Sequence, residues 1–198
     1  RMLSKMQMPC PIDELEFVEL DKHNPGNLDL MTYLGPALEG HDIGVMSEAG
    51  TPCVADPGAL VVELAHQAGV QVVPLTGPNA MILALMASGF NGQSFAFHGY
   101  LPIKNPERVQ KIKALERQSL ANDETELFIE TPFRNNAMIE ELVKNCHPNT
   151  MLCVACDITM PDEEIVSKPI SEWKSIKYDW NKKPAVFLIY SNKFRKKY

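Results

Sequence analysis

The stretch Ser47–Gly58, with the sequence SEAGTPCVADPG, decides how this chain is organised. It connects an apolar run, Ile43–Met46, to an amphipathic segment, Leu60–Ala68, and it is rich in small and turn-forming residues. A strand, a loop and a helix in this order form the unit from which parallel sheets are built. Such loops follow the carboxyl ends of strands, where α/β proteins bind ligands. The stretch therefore predicts a ligand-binding loop.

Glycine, aspartate and proline stand at positions of this loop where their backbone preferences matter. Gly50 and Gly58 can adopt a positive φ angle or allow a ligand to approach the backbone closely. Asp56 and Pro57 are typical of a helix N-cap followed by a first-turn proline. We therefore predict that Asp56 caps the following helix, and we favour this structural role over a catalytic one.

A second strand, loop and helix follow at once. The run Val70–Leu75 leads through Thr76–Ala80, with the sequence TGPNA, into a helix at Met81–Ala87 that Gly89 ends. Apolar runs and helical patterns also alternate in the rest of the chain, which predicts an α/β fold. The remaining predicted strands are Leu15–Leu20, Phe95–His98, Glu126–Ile129, Met151–Cys156, Glu164–Lys168 and Ala185–Tyr190. The remaining predicted helices are Leu28–Leu38, Pro106–Ser119 and Asn136–Lys144.

The composition of the sequence changes after Gly89–Gly92: the predicted helices before this point are apolar, and the first one after it is polar. We place a domain boundary there and predict an N-terminal α/β domain at residues 1–91 and a C-terminal α/β domain at residues 92–198. The boundary is short, so we interpret it as a hinge between domains and not as a flexible linker.

The composition is that of a globular protein, with 45% hydrophobic residues and a net charge of −6. No apolar run reaches the roughly 20 residues of a membrane-spanning helix, and the N-terminus lacks the apolar region of a signal peptide. The odd number of cysteines, five, suits a reducing compartment. We therefore expect a cytoplasmic protein without a membrane partner. The net acidity disfavours a surface that binds phosphates throughout, but it allows a local basic patch.

Cys153 and Cys156 have the spacing of half a metal site. They fall, however, in the predicted strand Met151–Cys156, where residues three positions apart point to opposite faces. We therefore predict that the two sulfurs diverge and that the chain holds no metal ion.

Four motifs in order resemble the tetrapyrrole methylase superfamily of S-adenosylmethionine (SAM) methyltransferases. They are SEAGTPCVADPG at Ser47–Gly58, PLTGPNA at Pro74–Ala80, FHGYLP at Phe97–Pro102 and FIETPFR at Phe128–Arg134. The residues of these motifs are most similar to those of the branch of the superfamily that 2′-O-methylates a cytidine of small-subunit ribosomal RNA. An ordered set of four motifs is far more specific than any one of them.

The resemblance implies two α/β domains, the N-terminal one with a mostly parallel sheet and the C-terminal one with a mixed sheet. It also implies that SAM lies in a cleft between them and that the protein is a homodimer. Members of the superfamily begin with a strand and a Pro/Gly-rich loop that this sequence lacks. We expect that first strand and loop to be missing from the sequence at hand and not from the protein, because losing a strand would expose an apolar edge.

Contacts with SAM are assigned by resemblance, position by position, to small residues at loop bends and strand ends. They are Glu48, Ala49, Gly50, Thr51, Val54, Asn79, Ala80, Ile129, Ala155, Pro184 and Ala185. Glu48 replaces the aspartate that is usual in the branch. Core packing is the alternative role for the last four.

Methyl transfer from a sulfonium is an in-line displacement, so a protein contributes mainly alignment of the reacting atoms. Candidate catalytic residues are His23, which could accept the proton of a ribose hydroxyl, and Glu130 and Arg134 of the ETPFR motif. The alternatives are an ordinary surface histidine and an exposed ion pair. One departure concerns Cys156–Met160, CDITM, where the branch carries Arg-Glu-Leu-Thr-Lys and therefore two cations.

Three functions follow from these residues. The first is a SAM-dependent methyltransferase acting on the ribose of ribosomal RNA, at the 2′-oxygen of a cytidine. The second is a methyltransferase for a small tetrapyrrole-like or other metabolite, and the third is a SAM-binding protein with altered catalysis. Candidate RNA contacts in the first case are Lys22, Lys104, Arg108, Arg134 and the tail Lys193–Lys197, for which a solvated terminus is the alternative.

Overall fold

A computed structural model of the 198-residue chain describes residues 11–20, 30–47 and 50–192. The chain divides into two compact units, Arg1–Gly77 and Pro78–Tyr198. The predicted boundary at residues 91 and 92 falls inside the second unit, because the helix before it packs on the strands that follow. At the end of that helix, the Ser88 carbonyl accepts a hydrogen bond from the Ser167 hydroxyl at 2.7 Å.

Helices and strands alternate through the second unit, as the sequence predicts. The α-helices among the described residues are, in the first unit, α1 (Leu30–Leu38) and α2 (Ala59–Gln67) and, in the second unit, α3 (Ala80–Ser88), α4 (Glu107–Asn122), α5 (Asn135–Asn145) and α6 (Ile170–Trp173). The strands are β1 (Phe95–Tyr100), β2 (Thr125–Ile129), β3 (Met151–Cys156), β4 (Glu164–Pro169) and β5 (Ala185–Tyr190). Among the residues described, no helix has the length and apolar character needed to cross a bilayer.

The strands form one mixed sheet in the order β1-β2-β5-β3-β4. β1 and β2 are parallel, and the other neighbours are antiparallel. One face packs on α3 through Leu127, Ala155 and Leu188, while Phe128 and Phe187 point to the opposite face, where α4 and α5 lie. All six residues of β5 are buried, since a central strand covered on both faces is apolar throughout.

In the first unit, α1 and α2 share a small core of Leu34, Val61 and Ala65. The runs predicted as strands, Leu15–Leu20, Ile43–Met46 and Val70–Leu75, carry no strand in residues 11–20, 30–47 and 50–77. Val73 and Leu75 are 64% and 88% exposed. An apolar run forms a strand only when a neighbouring strand takes up its backbone hydrogen bonds, and these runs pair with no strand among the described residues.

The divergence of Cys153 and Cys156 is confirmed. Cys153 packs on the face that α3 covers and Cys156 on the opposite face, and both are fully buried. Burial raises the pKa of each thiol to about 12, so both are neutral near pH 7. Within the described ranges, no group of His, Cys, Asp and Glu side chains could hold a metal ion.

Helix α3 has well-formed ends that a substitution can test. Asn79 Oδ1 accepts a hydrogen bond from the backbone N–H of Ile82 at 3.1 Å, and Gly89 ends the helix with a φ of 73°. We expect Asn79→Ala to lower the free energy of unfolding by about 1 kcal/mol, because the Ile82 N–H loses its acceptor. Urea denaturation measures this loss. Asn79→Asp keeps the acceptor oxygen and should stay close to wild type, so equal losses in both variants would contradict the cap.

Candidate functional site

Strand directions bring the loops of the second unit together at one edge of the sheet. β1, β2 and β3 end there, and β5, antiparallel to β2 and β3, begins there. Two backbone hydrogen bonds join the loops: Lys182 N–H donates to the Pro132 carbonyl at 2.8 Å, and Asp157 N–H donates to the Pro184 carbonyl at 3.0 Å. This edge therefore holds the ETPFR motif beside the segment that precedes β5.

Glu130 and Arg134 form an ion pair at this edge. Arg134 Nη2 lies 2.5 Å and Nε 3.1 Å from Glu130 Oε1, and the Thr131 backbone N–H donates to the same oxygen at 2.5 Å. Glu130 is only 4% exposed. Its second oxygen, Oε2, is buried without a hydrogen-bond partner among the described residues. Buried carboxylate oxygens are normally satisfied, so this atom is suited to accept a hydrogen bond from a ligand.

Two predicted cofactor residues lie in one row across the sheet. Ile129 and Ala155 both stand opposite Val186, on its two sides. Their face is the one against which Met81 packs, next to the predicted contacts Asn79 and Ala80 at the start of α3. The structure thus places four of the predicted residues on the same side of the sheet.

The other two predicted residues of the second unit differ from that group. Ala185 stands opposite Cys156 and packs into the core on the α4 and α5 side. Pro184 is exposed and contributes its carbonyl to the bond from Asp157. Ala155, although in the row described above, is fully buried. The side chains of Ala155 and Ala185 therefore both take part in core packing, the alternative role considered for them.

A cation that the sequence motifs do not contain lies beside the CDITM segment. Lys183 Nζ is 3.4 Å from Asp157 Oδ2 and 3.4 Å from Glu164 Oε1. The Trp180 indole N–H donates to Glu164 at 3.0 Å, and this bond, together with Lys183, lowers the pKa of Glu164. Lys183 could not be selected from the sequence, because its partners are distant along the chain and only the strand order brings them together.

Left-handed backbone conformations cluster at the same edge. Asp157, Thr159 and Lys182 have φ angles of 49°, 70° and 67°. Such angles cost energy in residues with a side chain, above all in a β-branched one such as Thr159. The buried Asn135 amide fixes the segment containing Lys182, since it donates to the carbonyls of Trp180 at 2.8 Å and Lys183 at 2.7 Å.

The loop of the first unit is tightly wound. Gly50, Cys53 and Ala55 have φ angles of 79°, 68° and 54°. Of the predicted cofactor contacts here, Thr51 is half-buried and Val54 is exposed. A side chain at Gly58 would lie 2.8 Å from Asp56 Oδ1 and 3.0 Å from a Val45 methyl group, so only glycine fits. His23, Glu48 and Ala49 lie outside the described residues.

The predicted cap at Asp56 is wrong. α2 begins at Ala59 with Gly58 as its N-cap, and no side chain caps it. Asp56 Oδ1 instead accepts the backbone N–H groups of Gly58 at 2.8 Å and Cys53 at 3.2 Å. An aspartate can bond to its own loop as well as to a helix end, and here the loop bonds place it before the first helical turn.

This loop borders a cavity of about 650 Å³ within the first unit. Ser47, Asp56 and Gly58 contribute to its wall, together with the apolar runs Leu15–Leu20 and Ile43–Met46. Five carboxylate side chains also line it, so the cavity, of a size typical of small-molecule sites, combines apolar and acidic groups; they are Glu14, Glu16, Glu19, Asp42 and Asp56.

Comparisons with known proteins agree with these observations. The family of Tetrapyrrole (Corrin/Porphyrin) Methylases matches residues 25–174. The chain is 35% identical over 159 residues to the ribosomal RNA small subunit methyltransferase I of Escherichia coli O157:H7, which covers 80% of this chain and 54% of that protein. It is 36% identical over 165 residues to the protein of the same name from Synechocystis sp., covering 83% and 55%. The chain therefore belongs to the tetrapyrrole methylase family, and it spans about half the length of these relatives.

Solved structures support the fold. The methyltransferase CobJ matches with a TM-score of 0.54 and 21% identity, over 83% of this chain and 72% of that one. Diphthine synthase matches with a TM-score of 0.52 and 16% identity, over 72% of this chain and 57% of that one. These likenesses confirm the predicted α/β fold class.

Proposed function

We propose that the protein is a SAM-dependent methyltransferase that acts on ribosomal RNA of the small subunit. The observation that carries this proposal is the 35% identity over 80% of the chain with a ribosomal RNA small subunit methyltransferase. The family match over residues 25–174 also contains all four motifs. SAM, when bound, supplies a methyl group on a sulfonium for transfer to the acceptor.

The residues present fit such a cofactor in each unit. In the first unit, Gly50 has a φ of 79°, and apart from its chain neighbours no atom of the described residues lies within 4 Å of the place where a side chain would stand, which favours close approach of a ligand to its backbone. In the second unit, Glu130 Oε2 is a buried acceptor without a donor in the part of the chain that the structure describes, and SAM carries amino and hydroxyl donors. The remaining predicted contacts and the roles of His23, Glu130 and Arg134 are part of this proposal.

The finer proposal concerns the acceptor and the assembly. We propose a ribose 2′-hydroxyl of a cytidine as the acceptor, a cytoplasmic location and a homodimer. Glu130 and Arg134 would position the reacting groups, because their mutual hydrogen bonds hold both side chains still. His23 is the proposed acceptor of the hydroxyl proton.

One observation favours a small tetrapyrrole-like acceptor instead. The two cations that the RNA branch carries in the CDITM segment are absent, and the net charge is −6. Lys183, paired with Asp157, provides a cation at the same edge, so the loss of the two motif cations argues less strongly against an RNA acceptor. The third possibility is a protein that binds SAM but does not transfer its methyl group.

The test uses SAM with a tritiated methyl group and the purified full-length protein. We expect label in small-subunit ribosomal RNA taken from source cells that lack the gene. Label only in an added tetrapyrrole precursor would replace the proposal by the second function. Binding of SAM without transfer to either would favour the third, and the absence of a thermal shift with saturating SAM would remove the cofactor assignment. At a SAM concentration of about 100 times Kd, that shift corresponds to about 2.7 kcal/mol.

A further inference from the structure

A groove of about 730 Å³ opens on the second unit between α5 and the segment after α6. Asn136, Glu140 and Lys144 of α5 form one wall, and Lys174, Lys177 and Tyr178 form part of the other. We call it the lysine groove. None of the four motifs that define the family accounts for it.

The charge of the lysine groove is opposite to that of the whole protein. Lys144, Lys174 and Lys177 are exposed, and Glu140 is the one acidic residue in the lining. None of the three ammonium groups forms an ion pair with a carboxylate of the described residues. In a chain with a net charge of −6, such a cluster favours a polyanion as its ligand.

Aromatic rings make the groove rigid on one side. Tyr178 stacks on Trp180 with ring centroids 5.4 Å apart, and its edge meets Trp173 at 6.1 Å. The indole N–H groups of Trp173 and Trp180 donate to the Lys168 carbonyl and to Glu164. Tyr178 is half-buried, so part of it faces the groove. A fixed aromatic surface among cations is the combination that binds single-stranded nucleic acids.

One end of the groove, at Asn136, adjoins the edge that holds Glu130 and Arg134. Asn136 in its wall directly follows the ETPFR motif and the buried Asn135. The Asn136 side chain accepts the backbone N–H of Trp180 at 3.0 Å and donates to Asp179 at 3.0 Å. The segment from Tyr178 to Lys183 therefore runs from the groove to the sheet edge and is held along its length.

We propose that the lysine groove binds a single-stranded segment of the RNA substrate, with phosphates on Lys144, Lys174 and Lys177 and a base against Tyr178. This inference rests on the proposed function. It assigns RNA binding to a surface of the second unit that starts near the sheet edge at Asn136 and extends along α5 to Lys144 in its last turn, whereas the sequence alone suggests the terminal lysine tail.

The test compares two triple variants with the same change in charge. The groove variant is Lys144→Gln, Lys174→Gln and Lys177→Gln. The control is Lys113→Gln, Arg117→Gln and Lys168→Gln, which removes three exposed cations elsewhere on the second unit. Binding is measured by fluorescence anisotropy with a labelled oligouridylate of about 12 nucleotides, a length within the range that single-strand binding surfaces cover.

We expect the groove variant to bind the oligouridylate about tenfold more weakly and the control to bind like wild type. The slope of log affinity against log salt should become smaller by about 2 in the groove variant, since each lost phosphate contact contributes about 0.7. Tyr178→Leu should weaken binding while leaving that slope unchanged, because it removes stacking and no charge.

The outcomes separate this inference from the proposed function. If both triple variants bind the oligouridylate equally, the lysine groove is not an RNA site. The proposed function is tested separately, by the labelling of ribosomal RNA with tritiated SAM. If polyglutamate competes with the oligouridylate as well as RNA does, the groove belongs to an acidic protein partner and the inference is overturned. A thermal shift with SAM that is the same in both triple variants shows that the cofactor site is intact.

Discussion

Arg134→Gln is expected to lower the free energy of unfolding of the protein by about 3 kcal/mol, because it leaves a buried carboxylate without its cation. Arg134 donates through both Nε and Nη2 to Glu130 Oε1. After the substitution, the Thr131 backbone N–H is the donor that remains to that oxygen among the described residues. Guanidinium chloride denaturation followed by tryptophan fluorescence measures the loss, since Trp180 lies in the same unit.

The matched control removes both charges. In the double variant Glu130→Gln, Arg134→Gln, neither member of the pair carries a charge, so no carboxylate is left buried without its cation at this position and most of the lost stability should return. Both variants should still lose methyl transfer if Glu130 and Arg134 position the reacting groups. A double variant as unstable as the single one would show that the ion pair is not the source of the effect. Full transfer in the double variant would remove both residues from the proposed site.

Glu126→Gln is expected to remove a loss of stability that the wild-type protein shows as the pH rises. Glu126 is fully buried in β2, with Oε2 2.5 Å from His98 Nε2. Burial, and next the nearby Glu124, raise the pKa of Glu126 from 4.5 to about 7. The folded state therefore binds more protons than the unfolded state between these values, and the free energy of unfolding falls as the pH rises through that window.

The size of this effect follows from the two pKa values. Their difference corresponds to about 3 kcal/mol, and three other titratable groups lie near Glu126 and titrate with it. Those groups are His98 on β1, Lys111 on α4, whose Nζ is 3.5 Å from His98 Nδ1, and Glu124 before β2. Burial, followed by Lys111, lowers the pKa of His98, so His98 acts in the opposite direction when the pH falls below about 6.5.

The experiment compares urea unfolding of wild type and Glu126→Gln at about pH 5 and about pH 8, on either side of the window. Wild type should lose stability relative to the variant at the higher pH. Glu124→Gln removes the second cause alone and should give an intermediate dependence. Parallel curves for wild type and Glu126→Gln would mean that the pKa of Glu126 is the same in the folded and unfolded states, which contradicts the prediction.

The second unit follows its sequence closely because its elements are defined by local pattern. The predicted strands Met151–Cys156 and Ala185–Tyr190 match β3 and β5 residue for residue. Both are continuous apolar runs, which is the pattern of strands covered on both faces. Gly99, in the FHGYLP motif, has a φ of 63° and stands where the β1 register shifts against β2, so it supplies a bulge that only glycine accommodates easily.

Other features depend on partners that no local pattern identifies. Val70–Leu75 is as apolar as many strands, yet a strand also needs a neighbour from elsewhere in the chain. Glu126 in the sequence TELFI has the spacing of a solvent-facing position, yet it is fully buried, on the same face of the sheet as Phe128, which helices from other parts of the chain cover. Glu130 and Arg134 were accessible to prediction because they stand four residues apart in one motif. Lys183 was not, since the strand order brings it to Asp157.

The position of β5 also governs when the sheet can be completed during synthesis. β5 follows the other four described strands along the chain, yet it lies between β2 and β3. β1 pairs with β2 and β3 with β4 without it, but the two pairs are joined only through β5. Because the chain leaves the ribosome from its N-terminal side, two half-sheets with open edges persist until residues 185–190 have emerged. The open strand edges of the nascent protein therefore need protection until that point, when the other four strands have already been made.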